Sequence, residues 1–142
     1  CYRGNAVSST VIANGRGVLS CQLTIAAAEG ADITTIEGLS ADRAHPLQQA
    51  WAAEQVSQCG RCDPGFIMAL AAMMRATPSP TADQLASLPN ICRCGATPRI
   101  LKAVARAAAA ATPVRAAQDE RRNSSRFSNG SSDEEHSAPN DS

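Results

Sequence analysis

Apolar and polar positions change rhythm once along the chain. Over residues 9–25, STVIANGRGVLSCQLTI, β-branched residues flank an Asn14-Gly15 pair, which predicts a hairpin. DITTIE at 32–37 is a further short β-rich run, closed by Gly38. From residue 45 the period lengthens. In HPLQQAWAAEQV (45–56), Leu47, Ala50, Trp51 and Glu54 fall at helical spacing, with Pro46 in the first turn. PGFIMALAAMMRA (64–76) is apolar nearly all round, which predicts a buried helix. TPSPT (77–81) breaks that helix, and TADQLASL (81–88) restarts one with Thr81 as N-cap. TPRILKAVARAAAAA (97–111) is the last helix, with Thr97 as cap and Pro98 at the first helical position. Beyond Pro113 the text is rich in Ser, Asn, Asp and Arg and nearly free of apolar residues, which predicts disorder. The chain thus reads as α+β, with a small β part over 1–40, a helical domain over 41–111 and a disordered tail over 112–142.

Composition narrows the function classes. A formal net charge of zero argues against nucleic acid as a partner. No window of the length a bilayer demands is continuously apolar, so no membrane span is expected. Aromatic residues make up only 3% of the 142 positions, so the core must be thin and in want of a staple or a partner. The chain opens on Cys1 rather than Met, and the expectation is that the true N-terminus, with any signal peptide, is missing. Six cysteines could supply the staple, as disulfides or as metal ligands.

Four of the six lie in QCGRCDPG (58–65) and NICRCGATPRI (90–100). Cys59 and Cys62 form a C-x2-C pair, with Gly60 letting the backbone bend tightly between them. Cys92 and Cys94 form a C-x-C pair, closer than the knuckles zinc fingers commonly use. Each pair precedes a predicted helix, whose free N–H groups favour thiolate charge. Arg61 and Arg93 add positive charge beside ligands that are all negative. Two short loops with thiolates so spaced suit a [2Fe–2S] cluster, while structural zinc and a redox or disulfide C-x-x-C are the competing readings.

These two motifs, in this order, resemble the small iron–sulfur subunits of the molybdenum hydroxylases, the xanthine dehydrogenase and aldehyde oxidoreductase family. HPLQQAWAAEQVSQCGRC and DITTIEGL place the likeness nearest the isoquinoline 1-oxidoreductase alpha-subunit type, and it runs from Cys1 to about Ala107. The resemblance implies a four-helix [2Fe–2S]-binding domain that follows a plant-ferredoxin-like β-grasp domain, here truncated at its leading strands. It implies an electron-transfer subunit with no catalytic residue of its own. Electrons would come from a molybdopterin cofactor in a large partner subunit, which hydroxylates an aldehyde or N-heterocycle, and would leave to an acceptor such as a cytochrome or flavin. Gln58 matches a residue that contacts the pterin, and Cys94 the ligand that links cluster to pterin. The Cys62–Cys92 separation is slightly shorter than is usual in the family, so a trimmed helix end near LASLPN is expected. Family enzymes of this type are cytoplasmic, or periplasmic after export with the partner.

The family's N-terminal motif, C-x4-C-G-x-C and a later Cys, falls on Cys1, Ala6, Val7, Ser9 and Cys21. Ala6 has no donor atom, and Ser9 is a poor ligand at neutral pH. Cys1 and Cys21 therefore read as the remnant of a lost second cluster, leaving one [2Fe–2S] cluster in the chain. The alternatives are a zinc-stapled helical interaction module and a degenerate, non-functional remnant. Elsewhere His45 is expected to help open a helix. Trp51 reads as core or subunit interface, and Met68, Met73 and Met74 as packing. Arg99 and Lys102 read as a solvated face or as part of a docking surface.

Overall fold

The computed structural model describes residues 8–111. The expectations for Cys1, Ala6, Val7 and the tail from 112 lie outside the described residues. Strands β1 (Thr10–Ala13) and β2 (Arg16–Leu19) form the hairpin, with Thr10 opposite Leu19 and Ala13 opposite Arg16. Asn14 and Gly15 both take positive φ, 48° and 80°, so the two-residue turn twists with its strands instead of splaying them. Asn14 also recruits the third strand. Its backbone N–H donates to the Asp32 carbonyl at 2.9 Å, and its Oδ1 accepts from the Asp32 N–H at 3.0 Å. That places β3 (Ile33–Thr34) antiparallel beside β1, and the sheet order is β2-β1-β3.

Between hairpin and third strand the sequence pattern extends the hairpin through Ile25. The structure instead has a 3-10 turn at Ser20–Gln22 and a one-turn helix α1 (Ile25–Ala28). Thr24 caps α1 by accepting the Ala27 N–H at 3.2 Å. The Ile25 side chain is 92% exposed, so its β-branched identity carries a strand signal with no burial behind it.

The helical part comprises α2 (Pro46–Ala53), α3 (Asp63–Ala76), α4 (Ala82–Ala86) and α5 over 97–111. His45 caps α2, its Nδ1 accepting the Leu47 N–H at 3.2 Å. α2 stops short of residue 56 in a Schellman turn. The Val56 N–H reaches the Trp51 carbonyl and the Gln55 N–H that of Ala52, both at 3.1 Å. Gln55 occupies the left-handed position of that turn with φ 48°, where glycine is usual.

α3 is the central element, with Met68 and Leu70 fully buried. It packs on α2 and across β1 and β2. Gly17 of β2 permits that approach, because a Cβ there would meet the Ala72 Cβ at 3.3 Å. α4 is shorter than the expected 81–88 and begins with a complete capping box: Thr81 accepts the Gln84 N–H while Gln84 accepts the Thr81 N–H. In α5 the buried stripe is Ile100, Ala103, Val104 and Ala107, a helical i, i+3, i+4, i+7 face. α5 begins at 97, so its cap is Ala96 and not Thr97; the Ala96 carbonyl accepts from Arg99 and Ile100. Trp51 lies in the core against Phe66, ring centroids 6.3 Å apart.

Candidate metal centre

Two loops carry the four central cysteines. Cys62 is the N-cap residue of α3, and Cys94 lies just ahead of α5. Gly60, between Cys59 and Cys62, has φ 74°, and Gly95, directly after Cys94, has φ 75°. These left-handed glycines reverse each loop within a residue of the thiols, which any side chain with a Cβ would resist.

The folded loops bring the thiols together across the two motifs. The thiol of Cys59 lies close enough to that of Cys94 for the two to perturb each other's ionisation, and Cys62 is paired with Cys92 in the same way. No disulfide joins any of them. Cys59 and Cys94 are exposed, Cys92 is half-buried and Cys62 is buried. The electrostatics follow that placement. Backbone N–H bonding from Arg61, with help from the Cys94 thiol, lowers the Cys59 pKa. The Cys59 thiol in turn raises Cys94. Burial, then the Cys92 thiol, pushes Cys62 up to about 12. Burial opposes ionisation of Cys92, but the backbone N–H groups of Ala96 and Cys94 outweigh it and lower its pKa.

Among the described residues no three His, Cys, Asp or Glu side chains converge as a single-ion site. The thiols form two pairs instead. Soft sulfur donors in two pairs, backed by backbone N–H groups, fit a two-iron cluster with two thiolates for each iron.

Of the remaining sequence-derived positions, Gln58 is exposed beside Cys59, as are Arg61 and Arg93. Cys21 is remote in sequence and exposed, and it accepts a hydrogen bond from the Ser9 hydroxyl at 3.4 Å. Two supports of the cysteine loops leave no signal in the sequence pattern. Ser57 donates to the Asp63 carboxylate, closing the segment that contains Cys59 and Cys62. Arg99 of α5 donates to the Gln55 carbonyl at 2.9 Å, linking the second motif's helix to the first motif's loop. Spacing cannot reveal a bond between residues 44 positions apart.

Residues 35–105 match the [2Fe–2S] binding domain family, a span that holds all four of these cysteines and excludes Cys21. The isoquinoline 1-oxidoreductase alpha chain of Brevundimonas diminuta is 44% identical over 110 residues, covering 76% of this chain and 72% of that protein. The A chain of nicotinate dehydrogenase from Pseudomonas putida is 43% identical over 111 residues, covering 76% and 71%. Among solved structures, the aldehyde oxidoreductase of Desulfovibrio gigas superposes with a TM-score of 0.73 at 34% identity, over 80% of this chain and 13% of that one. The likeness carried by the two cysteine motifs therefore holds across most of the described fold, and the chain belongs to the [2Fe–2S] binding domain family.

Proposed function

We propose that the chain is the iron–sulfur electron-transfer subunit of a molybdenum hydroxylase, and that Cys59, Cys62, Cys92 and Cys94 are its cluster ligands. The observation that carries the reading is the pairing of thiols between two loops, Cys59 with Cys94 and Cys62 with Cys92. A [2Fe–2S] cluster bound there supplies one-electron chemistry. The chain's own part is to hold thiolates with backbone N–H groups, to seal Cys62 from water and to leave Cys94 and Gln58 open to a partner. That partner is a large molybdopterin-binding subunit that works on an aldehyde or N-heterocycle, in keeping with the names of the relatives. In this reading Gln58 and Cys94 face the pterin, a cytochrome or flavin takes the electrons, and no residue of this chain is catalytic. The enzyme is cytoplasmic, or periplasmic after export with its partner.

The finer architecture follows the same reading: a β-grasp part over 1–40, a four-helix cluster domain over 41–111 and a tail over 112–142. The second cluster is lost, with Cys1 and Cys21 as its remnant. The test is iron and acid-labile sulfide per chain when the large subunit is co-expressed. About two of each are expected, with a red-brown visible spectrum. About four of each would mean that a second cluster is retained, and zinc without iron would leave only a stapled interaction module.

A further inference from the structure

We infer that Arg99 is the positioning residue that keeps the two cysteine loops in register, its guanidinium clamping the carbonyl of Gln55 four residues ahead of Cys59. The inference rests on the proposed cluster site. Its geometry begins at the end of α2. The Schellman turn there places Gln55 in the left-handed region, φ 48°, although Gln55 has a Cβ that disfavours that conformation. The turn redirects the chain from the helix into the loop bearing Gln58 and Cys59, so an error there is passed directly to the first cysteine pair.

α5 supplies what glycine would otherwise have supplied. The Arg99 Nη1 donates to the Gln55 carbonyl at 2.9 Å. Further along the same helix, the Arg106 Nη1 pairs with Glu54 Oε1 at 2.8 Å. Adjacent residues of the turn are thus both tied to the helix that follows Cys92 and Cys94. The two ties are not equivalent. Arg106 holds a side chain that can rotate, whereas Arg99 holds the backbone itself. At the far end the Ser57 hydroxyl bonds Asp63, so the Cys59–Cys62 loop is fixed on both sides. With Arg99 in place, Cys59 is presented to Cys94 and Cys62 to Cys92.

The test uses the full chain co-expressed with the large subunit and loaded with iron. It follows iron release to an excess of a ferrous chelator, together with the electron paramagnetic resonance spectrum of the reduced protein. Arg99→Met keeps the aliphatic stem and removes the donor. It is expected to release iron about five-fold faster, the factor that one lost hydrogen bond of ordinary net strength confers. Its spectrum should broaden or shift. Arg99→Lys should recover part of the retention, and Arg106→Met should match the wild type. Gln55→Gly placed on top of Arg99→Met should restore slow release, because glycine holds the left-handed turn unaided. Wild-type release and spectrum in Arg99→Met, or no restoration by Gln55→Gly in a variant whose circular dichroism and melting are unchanged, overturn the clamp alone. If Arg99→Met misfolds, restoration of both fold and retention by Gln55→Gly supports the clamp, and its absence overturns it. A wild-type chain that takes up no iron overturns the cluster reading and the clamp together.

Discussion

Ser9 donates its hydroxyl proton to the thiol of Cys21 across 3.4 Å, although the two residues are 12 positions apart. The hairpin register brings them together: Thr10 lies opposite Leu19, and the Ser20 N–H bonds the Ser9 carbonyl at 2.8 Å. The family motif laid on the sequence assigns these two positions to neighbouring ligands, and the fold does place them side by side. A cysteine at position 9 should therefore be close enough to form a disulfide. Ser9→Cys is expected to lose two titratable thiols on mild oxidation, with a peptide map linking position 9 to Cys21. A product that keeps every thiol free would show that the hairpin does not hold this register in solution.

The four central thiols should differ in reactivity in the metal-free chain. Thiolate, not thiol, attacks an alkylating agent. The Cys59 pKa is lowered by backbone N–H bonding from Arg61, and the residue is exposed; Cys62 is buried and pushed up to about 12. Limited iodoacetamide labelling near neutral pH should modify Cys59 first and Cys62 last, read by mass spectrometry of the peptides. The reverse order would contradict the burial that separates them. Once iron is bound, all four should be protected together.

A pH dependence follows from His45. Burial, and then the positive charge of Arg75, holds its imidazole below the ordinary 6.5. The neutral ring accepts the Leu47 N–H and so caps α2; the imidazolium cannot accept. A folded-state pKa that is depressed means the unfolded chain binds the proton more readily. The cap's contribution is therefore complete above about pH 6.5 and is lost as pH falls from there through the folded-state value. Urea midpoints for the wild type should drop between pH 8 and pH 5.5, by no more than the roughly 1 kcal/mol that an N-cap contributes. His45→Asn, which caps without titrating in this range, should flatten that share of the slope.

The core is thin enough that one large side chain matters. Leu70 is fully buried, in the middle of a helix that touches both sheet and α2. Leu70→Ala removes about 2–5 kcal/mol by lost transfer energy and residual cavity. That is a large part of the stability of a domain this size. The metal-free chain should show a much lower denaturation midpoint, and iron loading should recover part of it, because a ligand that binds only the folded form stabilises it.

Much of this is legible in local text. Asn14-Gly15 demands its turn wherever it stands between strands, and Thr81 with Gln84 caps a helix through bonds only three residues long. The spacing of the two cysteine motifs marks a metal or cluster site and leaves zinc and a redox pair as rivals; the family resemblance chooses among them. Illegible features depend on what the chain meets later. Ile25 reads as strand material, yet it heads an exposed one-turn helix because nothing packs on it. Gln55 carries no mark of the glycine-like conformation it adopts, and Arg99 reads as surface charge until α5 is laid beside the end of α2. The pairing of Cys59 with Cys94, outer with outer, likewise requires both loops to be folded at once.

The burial gradient across those four thiols gives the site a direction. Cys62 lies inside and Cys92 halfway, while Cys59 and Cys94 stand at the surface as a pair. Iron held by the outer pair would sit at a face that another protein can touch, and iron held by the inner pair would sit behind protein. Among the described residues, the outer pair is the edge of this site that a redox partner would meet first. On the proposed reading, the gap an electron must cross would be set by how closely the large subunit seats over Cys94 and Gln58, both of which are exposed.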